Sequence, residues 1–201
     1  MYKMLFFIAI FITNLFAAKN IWISTGEAYG IEPRLLYAIS KVESNTAPLV
    51  VSVNHTKMTQ AQANNLYRVL NYKKIPYKTL TKVVQIQNRN KQEATELLRF
   101  LDYYKYTSFD IGLMQINNMH KESLAKKNIS LYALLDEKVN LSIGAQILWD
   151  CYKKHGSKET AINAYNGKIA GNDYYQKVSA ELEKLLLPHE SKSKNLFYRV
   201  L

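Results

Sequence analysis

The stretch "PRLLYAISKVESN", residues 33–45, has the residue spacing of an amphipathic helix. Pro33 suits the first position of a helix, where its missing backbone N–H is not needed. Apolar side chains then recur every three or four residues, which is typical of a helix with one buried face: Leu35, Leu36, Ile39 and Val42. Glu43 comes four residues after Ile39 and falls on or beside that face. The stretch predicts a helix that carries a carboxylate on its buried side.

A carboxylate in such a position is expected to hold its proton unusually well. Loss of hydration raises the pKa of a buried glutamate, and the negative end of the helix dipole acts in the same direction in the last turn. Glu43 would then stay protonated near neutral pH, as a general acid must. The spacing leaves a second interpretation open, in which Glu43 extends into solvent from a frayed helix end.

The rest of the chain also shows mainly helical spacing. Further helices are predicted in five places: "TQAQANNLYRVLNYKK", the stretch after Asn90, the stretch from about Asn140 to His155, "ETAINAYNG", and the stretch from Asn172 to Pro188. The segment "TKVVQIQN" has β-branched residues in partial alternation, which favours a short strand. These patterns predict a mainly α fold with one small strand element.

The first 18 residues differ from those that follow. Lys3 precedes the apolar run "MLFFIAIFITNLFAA", which ends in small residues. A positive start, about 15 apolar residues and a small-residue end describe a secretory signal peptide, with a retained anchor as the alternative. We therefore expect a signal peptide at 1–18, a folded domain at 19–187 and a polar tail at 188–201. The protein would be periplasmic, and only the signal segment would contact the membrane.

The formal charge of +11 would become +10 without the signal peptide, because Lys3 is the only charged residue in it. A basic protein is attracted to anionic polymers, although the charge also serves solubility. The lysines and arginines are scattered and form no basic motif interleaved with aromatic residues, so a nucleic-acid partner is not expected.

The sequence contains no pattern for a metal or an organic cofactor. Its four histidines are dispersed, and neither H-E-x-x-H nor a phosphate-binding glycine motif occurs. The lone Cys151 cannot form an internal disulfide, and its apolar helical setting predicts a buried, inert thiol. We therefore expect neither a metal site nor a cofactor.

Three short polar islands remain: "ES" at 43–44, "GLMQIN" at 112–117 and "AYNG" at 164–167. With their surroundings they read "LLYAISKVESN", "DIGLMQIN" and "AINAYNG", and in this order they resemble the motifs of lytic transglycosylases with a lysozyme-like fold. The most similar branch serves type IV or type III secretion, conjugation and pilus assembly. The resemblance covers about residues 31–178 and implies a lysozyme-like α+β fold.

The resemblance also implies a role for each matching residue. Glu43 would be the catalytic acid and base, and Tyr165 would hydrogen-bond its carboxyl. Ser52 would lie in a loop at 48–54 beside the scissile bond. Further substrate-binding residues would come from the three motifs: Ser44, Met114, Gln115, Asn117 and Asn166.

The implied substrate is the glycan strand of peptidoglycan. Family members cleave the β-1,4 bond between N-acetylmuramic acid and N-acetylglucosamine and leave a 1,6-anhydro end, with no metal or cofactor. Subunits of a secretion or conjugation apparatus would be possible partners. The alternatives are a muramidase that adds water and a binder of peptidoglycan without activity.

The choice between lyase and hydrolase depends on a second carboxylate. Asp110 is the one candidate near a motif, and an aspartate before a glycine is typical of a turn or cap. We expect that role for Asp110. If it instead faced Glu43, simple hydrolysis would gain support.

Overall fold

The computed structural model describes residues 20–168 and 171–185. The predicted signal peptide at 1–18 and polar tail at 188–201 lie outside these ranges, so the domain boundaries stay predictions. Within the two ranges, no helix combines the length and the apolar character needed to cross a membrane.

The described residues contain eight α-helices: α1 (Ile21–Tyr29), α2 (Pro33–Ser44), α3 (Gln60–Tyr72), α4 (Lys91–Tyr103), α5 (Lys121–Ala125), α6 (Glu137–His155), α7 (Lys158–Tyr165) and α8 (Tyr174–Glu183). Their ends follow the local chemistry of the sequence. The Thr59 side chain and Gln62 form a reciprocal capping box at the start of α3. Gly156, with φ 72°, ends α6 in the left-handed conformation. All the predicted helices are present.

Five short strands form one antiparallel sheet: β1 (Val50–Asn54), β2 (Tyr77–Thr79), β3 (Val83–Gln87), β4 (Phe109–Ile111) and β5 (Ile116–Asn117). Their order across the sheet is β2-β3-β1-β4-β5. The central strand is β1, in which Val51 pairs with Ile86 of β3 on one side and with Ile111 of β4 on the other. The mainly α, α+β fold class is confirmed, and the sheet is larger than the single small element expected.

The prediction of a loop at 48–54 is wrong, because most of this segment is strand β1. Three of its residues are almost fully buried valines: Val50, Val51 and Val53. β-branched side chains fit a buried sheet surface well. Strands on both sides satisfy the backbone groups of the segment, and it is therefore the middle of the sheet.

The segment between the first two motifs extends this sheet. It supplies α3, the hairpin of β2 and β3, and α4. Because β3 pairs with β1 along all five residues of each strand, the segment is part of the domain rather than an appendage.

The helices pack around one core. The main helix contacts join α6 to α7, α2 to α8, and α1 to both α2 and α6. Apolar residues of the helices and of the sheet form a single buried cluster, which includes Leu36, Ile39, Ile111 and Leu148. This packing brings the last turn of α2, the strands β4 and β5, and the end of α7 to the two sides of one cleft.

Candidate active site

An open cleft of about 300 Å³ runs between the helical part and the sheet. Six of the polar side chains that line it come from the three sequence motifs or adjoin them: Glu43, Asp110, Gln115, Asn117, Tyr165 and Asn166. We call this space the Glu43 cleft. The fold thus brings together residues that are up to 123 positions apart in the sequence.

Glu43 lies in the last turn of α2 and is partly buried. Asn45 ends the helix in the left-handed conformation, with φ 55°. Protein atoms surround the carboxyl group, and this loss of hydration is the main cause that raises the pKa of Glu43 to about 7. The interpretation in which Glu43 extends freely into solvent is therefore wrong.

Tyr174 is the hydrogen-bond partner of Glu43. Its hydroxyl donates to Glu43 Oε1 over 2.5 Å. The bond lowers the pKa of the carboxyl and so opposes the larger effect of burial. Two amides hold the start of α8 in position: Asn172 accepts from the backbone N–H of Tyr174 and Asn163 accepts from that of Tyr175.

The predicted hydrogen bond from Tyr165 to Glu43 is wrong. The Tyr165 hydroxyl donates instead to the backbone oxygen of Met114 over 2.7 Å. Tyr165 still lines the cleft, and the negative charge of Glu43 contributes to raising the pKa of its hydroxyl, after the larger effect of burial. Tyr165 therefore connects the end of α7 to the second motif.

The expectation that Asp110 is a turn or cap residue is also wrong. Asp110 is the middle residue of β4 and lines the same cleft as Glu43. Its Oδ1 accepts a hydrogen bond from the amide of Asn117 over 2.8 Å. Burial raises the pKa of Asp110 to about 6, and its negative charge is a further cause that raises the pKa of Glu43. Two carboxyl groups thus share the cleft.

The turn of the second motif needs both its glycine and a distant amide. Gly112 has φ +77°, and a Cβ there would lie 2.4 Å from Asn140 Nδ2, so only glycine fits. Asn140 is fully buried, accepts from the backbone N–H of Met114 and donates to the backbone oxygens of Ile111 and Leu134. This side chain of α6 fixes the path of the motif.

Three residues predicted to bind substrate lie away from the cleft surface. Ser44 is 4% exposed, and its hydroxyl donates to the backbone oxygen of Leu113 over 2.8 Å. Ser52 is also 4% exposed and is the cross-strand partner of Asp110 on β1. Met114 is fully buried with its side chain against Gly144. These residues pack behind the surface that lines the cleft, and their role in substrate binding stays a prediction.

Three other predicted substrate-binding residues do line the cleft, namely Gln115, Asn117 and Asn166. Gln115 has a left-handed backbone, with φ 46°, and its amide donates to the backbone oxygen of Gly112 over 2.8 Å. The position of all three agrees with the sequence analysis, and their role in binding stays a prediction.

The sequence analysis missed Tyr174 and Asn140. The stretch "NDYYQKV" does not distinguish Tyr174 from Tyr175, because either tyrosine could belong to the apolar face of α8. Asn140 could have been found as an amide on the apolar face of a long helix, a position that requires hydrogen-bond partners.

Among the described residues, no group of three histidine, cysteine, aspartate or glutamate side chains is placed to hold a metal ion. Cys151 is partly buried rather than fully enclosed. Burial raises the pKa of its thiol, which disfavours the reactive thiolate.

Parts of this chain are similar to known proteins. The Salmonella typhimurium invasion protein IagB is 45% identical over 60 residues, which cover 29% of this chain. The match spans only 38% of the length of that protein. A peptidoglycan-binding-like protein of Escherichia coli O157:H7 is 28% identical over 170 residues, which cover 83% of this chain and 75% of that protein.

A family model described as the transglycosylase SLT domain matches residues 20–186. The match includes Glu43, the second motif and Tyr174, so it spans both sides of the Glu43 cleft. Members of this family are lytic transglycosylases, which act on peptidoglycan. Because the match covers most of the chain, this protein belongs to the transglycosylase SLT family.

Proposed function

We propose that this protein is a lytic transglycosylase that cleaves the β-1,4 bond between N-acetylmuramic acid and N-acetylglucosamine and leaves a 1,6-anhydro end. The observation that carries the proposal is the state of Glu43. Its carboxyl opens on a cleft, accepts a hydrogen bond from Tyr174 and has its pKa raised to about 7. Such a group exchanges a proton readily near neutral pH.

Glu43 acts first as a general acid. Its proton passes to the glycosidic oxygen, and the bond between that oxygen and the anomeric carbon of N-acetylmuramic acid breaks. The leaving sugar keeps the proton as a new hydroxyl group, while Glu43 becomes a carboxylate. The hydrogen bond from Tyr174 stabilises this carboxylate, because it lowers the pKa of Glu43.

Glu43 acts next as a general base. It takes the proton of the C6 hydroxyl of the same N-acetylmuramic acid, whose oxygen bonds to the anomeric carbon and closes the anhydro ring. The carboxyl is then protonated again, as at the start. Because the nucleophile belongs to the substrate, one carboxyl group suffices, whereas most glycosidases use two.

The polar side chains of the cleft hold the sugar rings. Gln115, Asn117 and Asn166 line it and carry amide groups that can both donate and accept hydrogen bonds. Sugar hydroxyl and N-acetyl groups need such partners. Neither organic cofactor nor metal enters these steps.

Hydrolysis is the second candidate, and the position of Asp110 favours it. A carboxylate across the cleft from the general acid can stabilise the developing positive charge on the sugar or position a water molecule. The raised pKa of Asp110, about 6, still leaves it mainly ionised at neutral pH. The sequence analysis gave hydrolysis more support if Asp110 faced Glu43, and both carboxyl groups line the same cleft.

The products separate the two reactions. Purified protein is incubated with peptidoglycan sacculi, and the released fragments are weighed by mass spectrometry. The lyase yields anhydro ends, each one water lighter than the reducing ends that a hydrolase yields. Asp110→Asn is the companion variant: we expect it to retain anhydro products. Reducing ends from the unaltered protein would overturn the proposed chemistry.

We also propose that the protein is periplasmic and opens the wall locally for a secretion or conjugation apparatus. The signal-like segment at 1–18 supports export, and one relative is named an invasion protein. Cell fractionation tests the location. Undiminished secretion in a strain that carries only the Glu43→Gln form would contradict the link to an apparatus.

A further inference from the structure

A second cavity lies beside the Glu43 cleft rather than in it. It has a volume of about 390 Å³ and lies between α5, α6 and the end of α7. The charged residues that line it are Lys127, Lys154 and Asp150. We call it the basic cavity. It contains none of the carboxyl or tyrosine groups assigned to the reaction.

The basic cavity and the Glu43 cleft are adjacent. His120 and Ile147 line both spaces. His120 ends the short 3-10 helix after β5, and Ile147 projects from the middle of α6. A polymer chain in the cleft can therefore extend past these two side chains, or carry a substituent that reaches the cavity.

The two spaces differ in charge. Glu43 and Asp110 line the cleft, and no lysine or arginine of the described residues lines it. In the basic cavity, Asp150 is the one carboxylate among the described lining residues, and Lys153 pairs with it over 2.9 Å. Lys127 and Lys154 are exposed and form no ion pair within 20–168 and 171–185. Two exposed ammonium groups thus lie at the rim, and the charge of Lys127 also helps to lower the pKa of Asp150.

The floor of the basic cavity is apolar. It consists of short aliphatic side chains and a thiol, namely Leu124, Ile143, Ile147, Ala164 and Cys151. A cavity with such a floor and a cationic rim suits a ligand that combines methyl groups with carboxylates. A neutral sugar ring would make no charge contact with the ammonium groups, which would stay hydrated.

Peptidoglycan offers a ligand of this chemistry. Its muramic acid residues bear short peptides with alanine methyl groups and free carboxylates. We propose that the basic cavity binds the peptide stem of a glycan strand whose sugars occupy the Glu43 cleft. Lys127 and Lys154 would pair with stem carboxylates, while Ile147 and Ala164 would contact the methyl groups. This inference rests on the proposed peptidoglycan substrate.

The test measures binding, so that it does not depend on which reaction the protein performs. Soluble glycan fragments with stems and the same fragments stripped of stems by an amidase are labelled and titrated with the Glu43→Gln form. The cavity variant adds Lys127→Gln and Lys154→Gln. The matched control adds Lys78→Gln and Lys91→Gln, which remove two exposed charges outside the cavity.

We expect the cavity variant to raise the Kd of stem-bearing fragments about tenfold, since each lost charge contact costs a few-fold in affinity. Stripped fragments should bind it as they bind the parent, and the control should bind both fragments like the parent. The preference for stems should also weaken at high salt.

Two results would overturn the inference. An equal loss of affinity for both fragments would mean that the lysines attract the glycan itself, or any anionic polymer, and do not recognise the stem. No loss for either fragment would mean that the cavity binds nothing in this substrate. Failure of the proposed reaction would appear elsewhere, as the absence of cleaved products from the unaltered protein.

Discussion

The hydroxyl of Tyr174 donates a hydrogen bond to Glu43 Oε1 over 2.5 Å, across 131 positions of the sequence. Tyr174 is the first residue of α8, and Glu43 lies in the last turn of α2. The contact combines with burial and with the charge of Asp110 to set the pKa of Glu43 at about 7. Removal of a stabilising partner from an ionised group raises the pKa of a carboxyl.

Tyr174→Phe should therefore move the alkaline limit of activity to higher pH. The variant keeps the ring but loses the hydroxyl, so the carboxylate form of Glu43 becomes less stable and its pKa rises. The descending limb of kcat/KM against pH reports this pKa in the free enzyme. A pH–rate profile on sacculi is the measurement.

Two tyrosine variants control for this effect. Tyr175→Phe alters the neighbouring residue, whose backbone N–H bonds to Asn163. It should leave the descending limb of the pH–rate profile unchanged. Tyr165→Phe loses the bond to the Met114 oxygen and should cost about 1 kcal/mol in the free energy of unfolding with little change in the limb. If Tyr165→Phe moved the limb and Tyr174→Phe did not, Tyr174 would not control the acid.

Glu43→Gln should lower kcat by about 10²–10⁴-fold, which is the usual contribution of a general acid or base. The amide nearly preserves the shape of the side chain but cannot pass a proton. Release of soluble fragments from sacculi is the measurement. Glu122→Gln, an exposed carboxylate on α5, is the control and should retain full activity. Unchanged release by Glu43→Gln would favour the binder without activity.

The same Glu43→Gln substitution should stabilise the fold at alkaline pH. The pKa of Glu43 rises from a reference of 4.5 to about 7 on folding. The stability that the folded protein gains by holding Glu43 protonated is therefore fully present below about pH 4.5 and is lost as the pH rises through about 7. At pH 8 the variant should exceed the unaltered protein by about 3 kcal/mol in the free energy of unfolding.

Urea unfolding at pH 4 and pH 8 tests this linkage. The difference between the two proteins should be small at pH 4, because Glu43 is then protonated in both the folded and the unfolded chain. A constant difference across this range would show that the carboxyl titrates like a glutamate in water.

Asn140→Ala should destabilise the whole fold, although the residue does not touch the cleft. The substitution removes three hydrogen bonds and leaves the N–H of Met114 and the oxygens of Ile111 and Leu134 without this partner. We expect a loss of about 3 kcal/mol in the free energy of unfolding, measured by urea titration. Asn64→Ala, at an exposed position of α3, should change it by less than about 0.5 kcal/mol. Equal effects would remove the assigned role of Asn140.

Local patterns predicted the helices well and the sheet poorly. The spacing of apolar residues and the caps at Thr59, Asn90 and Gly156 are readable within a few residues of sequence. Strand β1 is not evident from local patterns, because its pairing partners, Ile86 and Ile111, lie 35 and 60 positions after Val51. The same long-range pairing makes Asp110 a strand residue that faces the cleft instead of a turn.

The sequence by itself determined the helical framework, the buried side on which Glu43 lies, and the three motifs that meet at one cleft. Only the tertiary structure decided that Tyr174 and not Tyr165 bonds to Glu43, that Asp110 shares its cleft, and that Ser44, Ser52 and Met114 are buried behind the site. The physical reason is distance along the chain. Periodicity and capping act between neighbours, whereas a pKa and a hydrogen bond between side chains depend on which distant segments the core brings together.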